Sequence, residues 1–241
     1  MPSVLELAEI CNASYDSQPV VEGWETLTPI YNFPRSGFFG AVLRKDNDYV
    51  MVFRGTDDKT HDVVSDTTLA LGYTPQQYYT AKKSLLMFLS NFATTSSNLM
   101  LTGHSLGGGL ASLVSARGHN LPVVTFNSPG MFRAATNSGF TPLSGPYNYI
   151  TNKNGIRSYV NEFKKVLHIR SEGDLVSVGT GRKIINNNIS LANPICPNPK
   201  GWNMVSIAAQ SFAQALCAHS MENMVTIIKN IPEFSEDISW V

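Results

Sequence analysis

The chain has 241 residues, no net formal charge at pH 7 and 15% charged residues, against about 25% in an average globular domain. Its 43% hydrophobic and 10% aromatic content excludes a disordered chain. Zero net charge disfavours general nucleic-acid binding, which needs many cations to neutralise phosphates.

In chain order, Val4 to Tyr15 reads as an amphipathic helix: Val4, Leu5, Leu7, Ala8 and Cys11 share a face, and Pro2-Ser3 supplies a start. Phe38 to Arg44 and Tyr49 to Phe53 read as strands joined through a turn at Asp46-Asn47. Thr74 to Phe92 has the clearest helical spacing, with Thr74 as N-cap, Pro75 in the first turn, and Tyr78, Ala81, Leu85 and Phe88 along one stripe. Leu99 to Thr102 is a short apolar strand ending at Gly103, followed by a helix of small residues from Leu106 to Ala116. Val123 to Phe126 and Val166 to Ile169 are two more buried-strand candidates. Ile184 to Trp202, rich in Asn and Pro, reads as a long loop; Ser206 to Ala218 and Met221 to Lys229 read as helices. Alternating strands and helices predict a mostly parallel sheet covered on both faces. No composition break marks a second domain, so residues 1–241 are expected to form a single one.

The three cysteines, Cys11, Cys196 and Cys217, are odd in number and form no CxxC pair. That predicts neither a disulfide framework nor a structural zinc site, and reduced thiols suit a cytosol. The N-terminus lacks the basic, apolar and small-residue pattern of a signal peptide, and no apolar run approaches the ~18 residues of a spanning helix. The expectation is a cytoplasmic protein, or one exported without a classical signal.

Gly103-His104-Ser105-Leu106-Gly107 is a Gly-x-Ser-x-Gly pattern between a predicted strand and a predicted helix. That context is the nucleophile elbow, a strained turn that presents a serine hydroxyl at the top of a sheet. The helix N-terminus behind it aims free N–H groups at a developing oxyanion. A serine needs a general base, and the base needs an orienting acid. In this architecture the chain order is Ser, then Asp or Glu, then His. His168 lies inside an apolar strand, where a buried structural histidine is expected; His219 follows a helix late in the chain and is the preferred base. Asp174, just beyond the strand that starts at Val166, is the preferred acid, with Glu172 as its close competitor.

These residues resemble the class 3 lipase family, serine α/β-hydrolases acting on acylglycerols and phospholipids, in a bacterial-type form. The resemblance is carried by Val52-Phe53-Arg54-Gly55-Thr56, by the elbow from Leu101 to Ala111, and by Thr125-Phe126-Asn127-Ser128-Pro129-Gly130. Asp174-Leu175-Val176 and His219-Ser220-Met221-Glu222-Asn223 complete it. It implies an α/β-hydrolase fold with a mostly parallel central sheet flanked by helices. It also implies Ser105 as nucleophile, Asp174 as orienting acid, His219 as base and then acid, and an oxyanion hole from Thr56 and the backbone N–H of Leu106. The segment Asp62 to Asp66 departs from the family in lacking a tryptophan, and Gly109 stands where alanine is usual.

The expected activity is hydrolysis of lipid acyl esters, of lipase or phospholipase A type, through an acyl-enzyme and with no metal or organic cofactor. A thioesterase or small-ester esterase would use the same apparatus, and a silent hydrolase-fold binding protein is the rival outside enzymes. Two segments could cover an acyl chain: Asp57 to Asp66, and an insertion spanning 184–218, the latter the candidate lid or acyl-pocket wall. Seven basic residues against three acidic ones between Lys153 and Lys183 make either a solvated face or an anionic-membrane contact, the former favoured. The expected partner is thus a lipid or phospholipid substrate, at a membrane surface in the latter case, and not nucleic acid. An effector delivered by a dedicated secretion machine would come with a neutralising partner protein.

Overall fold

The computed structural model describes residues 1–56, 75–92, 98–119, 121–131, 134–135, 166–179, 183, 187–196 and 204–238. The first helix, α1 (Val4–Ala13), starts where Pro2-Ser3 places it. Ser3 Oγ accepts the Glu6 N–H at 3.1 Å, and Glu6 returns a carboxylate oxygen to the Ser3 N–H at 2.8 Å. Such a reciprocal cap satisfies two backbone donors that the helix cannot.

Strand β1 (Glu25–Phe33) was not anticipated. Only Tyr31 along it is buried, so it carries no period-two signal, and it includes Pro29. It pairs antiparallel with β2 (Phe38–Lys45), with a register irregularity between Leu27 and Tyr31. β2 turns tightly into β3 (Asp48–Phe53), with Lys45 facing Asp48 across Asp46-Asn47. Helix α2 (Gln77–Asn91) carries the expected stripe; Thr74, the expected N-cap, lies outside the described residues. β4 (Leu99–His104) leads through Ser105 into α3 (Leu106–Val114), whose helix gives way to a π turn over Ser115–His119. β5 (Val123–Phe126) and β6 (Val166–Ser171) follow, then a short α4 (Leu175–Gly179).

The stretch expected as a loop from Ile184 to Trp202 contributes β7 (Asn188–Leu191) to the sheet. This short strand buries only Leu191, too little for an apolar run to show. Helices α5 (Met204–His219) and α6 (Met221–Lys229) complete the described chain, together with a terminal single turn. Among the described residues no helix is long and apolar enough to cross a membrane.

Among the described residues, seven strands lie in sequential order, antiparallel from β1 to β3 and parallel from β3 to β7. Successive side chains point to opposite faces. Val42, Met51, Phe53, Leu99 and Leu101 therefore pack under α2 and α3, while Leu43, Val50, Val52, Met100 and Phe126 pack under α1 and α6. Each such fully buried side chain contributes about 1.5–3 kcal/mol. Because β3 to β6 run parallel, Arg54, Ser105, Asn127 and Glu172 all emerge at one end of the sheet, where open parallel sheets bind ligands.

Candidate active site

Ser105 has φ 53° and ψ −132°, a strained conformation for a residue with a side chain. The turn is tight enough to demand glycine on both sides. A Cβ on Gly103 would meet the Gly107 carbonyl carbon at 2.5 Å, and one on Gly107 would run into the backbone carbonyl of Phe53. The Ser105 N–H donates to Phe126 O at 3.0 Å, locking the turn against β5.

Two expected partners converge on this serine. His219, the last residue of α5, places Nε2 at 2.8 Å from Ser105 Oγ and Nδ1 at 2.8 Å from Asp174 Oδ1. A carboxylate only accepts, so Nδ1 carries the proton and Nε2 is the acceptor facing the serine hydroxyl. Asp174 is fully buried. It accepts backbone N–H groups from Val176 at 3.2 Å and Ser177 at 2.9 Å. Burial pushes its carboxyl pKa upward, but the hydrogen bond and charge of His219 and the Ser177 donors outweigh it and hold it below the ordinary value.

The competing residues are placed elsewhere. Glu172 is exposed. His168 is buried within β6, with Nδ1 at 2.7 Å from Thr125 Oγ1. Burial, with the charge of Lys183, pushes its pKa down to about 3, as suits a structural histidine.

Thr56 and Leu106 both line a cavity of about 410 Å³ bounded also by Phe38, Arg54, Gly55 and Leu110. A Cβ on Gly55 would lie 3.0 Å from Ser105 Cβ, so Thr56 follows a residue in contact with the serine. Asn32 and Gln77 add polar wall to the otherwise apolar Phe38, Leu106 and Leu110. Among the described residues, none from 184–218 lines this cavity. Asp57 to Asp66 and most of the basic stretch from Lys153 lie outside the described residues.

Two features escaped sequence inspection. Lys183 is buried and donates to Ser128 O and, at 3.2 Å, to Ser128 Oγ. Burial pushes its pKa down to about 8. Cys196 and Cys217 form a disulfide, correcting the expectation of reduced thiols; Cys11 alone is free, its thiol pushed up to about 12 by burial. Spacing rules detect local cysteine motifs, whereas this pair is made by the turn after β7 meeting the end of α5.

A serine on a strained turn between a parallel strand and a helix, in a sheet clad on both faces, defines an α/β-hydrolase fold. Residues 7–186 match the model of a phospholipase-like family described as the Tle-like phospholipase domain, and the chain belongs to that family. It is 31% identical over 159 residues to extracellular phospholipase A1 of Serratia liquefaciens, an alignment covering 66% of this chain and 46% of that protein. The chain thus spans about half the length of that curated relative. Among solved structures, it resembles a triacylglycerol lipase from Penicillium expansum at 15% identity, covering 79% of each chain with a TM-score of 0.46. It also resembles the extracellular lipase LipA from Serratia marcescens at 16% identity, covering 92% of this chain and 48% of that one with a TM-score of 0.44.

Proposed function

We propose that the chain is a serine carboxylic-ester hydrolase of the lipase or phospholipase A type, acting on lipid acyl esters. The observation that carries this reading is the relay from Asp174 through His219 to Ser105, with both imidazole nitrogens at 2.8 Å from their partners. His219 Nε2 takes the Ser105 proton as Oγ attacks the ester carbonyl, and Asp174 stabilises the imidazolium that forms. The backbone N–H of Leu106, at the start of α3, and Thr56 receive the oxyanion of the tetrahedral intermediate. The intermediate collapses to an acyl-Ser105 ester, and the departing alcohol takes the proton from Nε2. Water, deprotonated by the same nitrogen, then releases the fatty acid. The cavity beside Thr56 and Leu106 supplies apolar wall for the acyl chain through Phe38 and Leu110.

The phospholipase A1 activity in the name of the Serratia liquefaciens relative supports a phospholipid substrate. The test is release of fatty acid from phospholipid vesicles, triacylglycerol emulsions and short-chain esters by wild type beside Ser105→Ala. Hydrolysis of long-chain lipid esters that vanishes in Ser105→Ala is expected. Turnover confined to short-chain esters or thioesters would replace the lipid assignment, and undiminished turnover in Ser105→Ala would remove Ser105 as nucleophile.

A further inference from the structure

The last four carbonyls of a helix have no partner within it, so a helix end frays unless other groups hold it. At the end of α5, three successive carbonyls are held. Cys217 O accepts the Ser220 N–H at 3.2 Å and Asn223 Nδ2 at 3.0 Å. Ala218 O accepts Asn127 Nδ2 at 2.9 Å, and His219 O lies 2.7 Å from His104 Nε2. His104 ends β4 and Asn127 follows β5, so neighbouring parallel strands supply the donors for the last two.

Both donors are themselves fixed. A carbonyl only accepts, so His104 carries its proton on Nε2, and Nδ1 accepts the Tyr15 hydroxyl at 2.7 Å. The ring is pinned at both nitrogens and is 5% exposed. Burial, with the nearby His219 ring at 4.8 Å between centroids, pushes its pKa down to about 3. It therefore stays neutral while His219 takes up a proton. Asn127 is fully buried at φ 46°. Its Oδ1 accepts the Ser171 N–H at 2.8 Å, which leaves Nδ2 to face Ala218. Its amide therefore bridges the end of β6, three residues before Asp174, to the residue before His219.

We propose that His104 and Asn127 are positioning residues that hold the backbone of Ala218 and His219 so that one imidazole reaches Ser105 and Asp174 together. The inference rests on those three side chains acting as described above. Neither residue is hydrogen-bonded to the reacting atoms; His104 acts through His219 O and packs beside its ring, and Asn127 acts through Ala218 O. A displacement of 1 Å at a reacting group costs about 10²-fold in rate, and two simultaneous 2.8 Å contacts leave little room for a mobile helix end.

The test compares His104→Gln, which can keep an N–H near the place of Nε2, with the similarly shaped His104→Met, which cannot. Asn127→Asp removes the donor to Ala218 O while keeping the acceptor for Ser171. Each is measured for kcat, KM and Tm beside Ser105→Ala. In folded His104→Met and Asn127→Asp, kcat is expected to fall about 10–10²-fold, with KM within about twofold of wild type. His104→Gln is expected to recover most of that loss. Tyr15→Phe, which removes only the hydroxyl behind the ring, keeps the test open should an interior variant fail to fold; it lowers kcat severalfold without a matching rise in KM. Equal kcat in the Gln and Met variants, or wild-type kcat in Asn127→Asp or in Tyr15→Phe, overturns the positioning role. Activity that survives Ser105→Ala overturns the nucleophile assignment itself, and the two failures are read from different variants.

Discussion

Asp174 and His219 stand 45 positions apart in the chain, yet their Oδ1 and Nδ1 atoms meet at 2.8 Å. The carboxylate is also held by the Val176 and Ser177 N–H groups, so its orientation is set before any substrate arrives. Asp174→Asn would present a donor to one of these donors and disturb the imidazole tautomer. A loss of about 10⁴ in kcat is expected, the scale of the same change in serine proteases. Glu172→Gln, at an exposed position, should leave kcat unchanged. Steady-state kinetics on both variants decides the acid: near-wild-type turnover in Asp174→Asn would remove it from the relay.

Acid should weaken the folded state. His104 and His168 have pKa values of about 3 in the folded protein against 6.5 for a free imidazole. As pH falls below 6.5, the unfolded chain takes up protons at both positions and the folded chain does not. Stability then drops by on the order of 1 kcal/mol per pH unit for each histidine, down to the folded values. The depressed Asp174 carboxyl acts in the same direction, its contribution being lost as pH falls through its folded value. Urea unfolding between pH 4 and 8 measures the slope. His168→Asn should make it shallower, and an unchanged slope would show that His168 does not carry that share.

At the elbow, a single methyl group should be intolerable. The Cβ of Gly107→Ala would penetrate the backbone of β3 at Phe53, which is paired on both sides and cannot retreat. Overpacking of this kind costs about 1–3 kcal/mol or more, and any relief by backbone movement shifts the Ser105 turn. Both a lowered Tm and a fall in kcat are expected. A variant with wild-type Tm and turnover would mean that the turn has slack the geometry does not contain.

The Cys196–Cys217 bond closes a separation of 21 residues. A closure of that length stabilises by about 3 kcal/mol in the chain-entropy account. Unfolding by urea with and without a dithiol reductant should show the difference, and the Cys196→Ser, Cys217→Ser double variant should match the reduced protein. Thiol titration of the denatured, unreduced chain should find Cys11 alone. Coincident unfolding curves, or three reactive thiols, would remove the bond.

The elbow was legible because its backbone strain requires small residues at fixed offsets, which leaves a local trace around Ser105. β4, β5 and β6 were legible because each carries a short, mostly apolar run, Leu99 to Leu101, Val123 to Phe126 and Val166 to Ile169, as strands covered on both faces do. The edge strands β1 and β7 were not: β1 buries a single residue and shows no alternation, and the alternation of β7 is only four residues long within a stretch rich in Asn and Pro. Chain order singled out His219 and Asp174 without revealing how they are held. The contacts of His104 with His219 O and of Asn127 with Ala218 O span 115 and 91 positions. A side chain meeting a distant carbonyl imposes no period and no spacing rule, so the pattern around His104 and the block around Asn127 give neither residue a holding role. The cysteine pairing was hidden for the same reason.

Among the described residues, Pro29 and the register irregularity beside it lie on the outermost strand of the sheet. Proline offers no N–H, and the kinked ladder around it cannot present an even row of donors and acceptors to another chain. The border of the sheet remote from β7 is thereby a poor template for strand addition, a built-in guard against edge-to-edge aggregation.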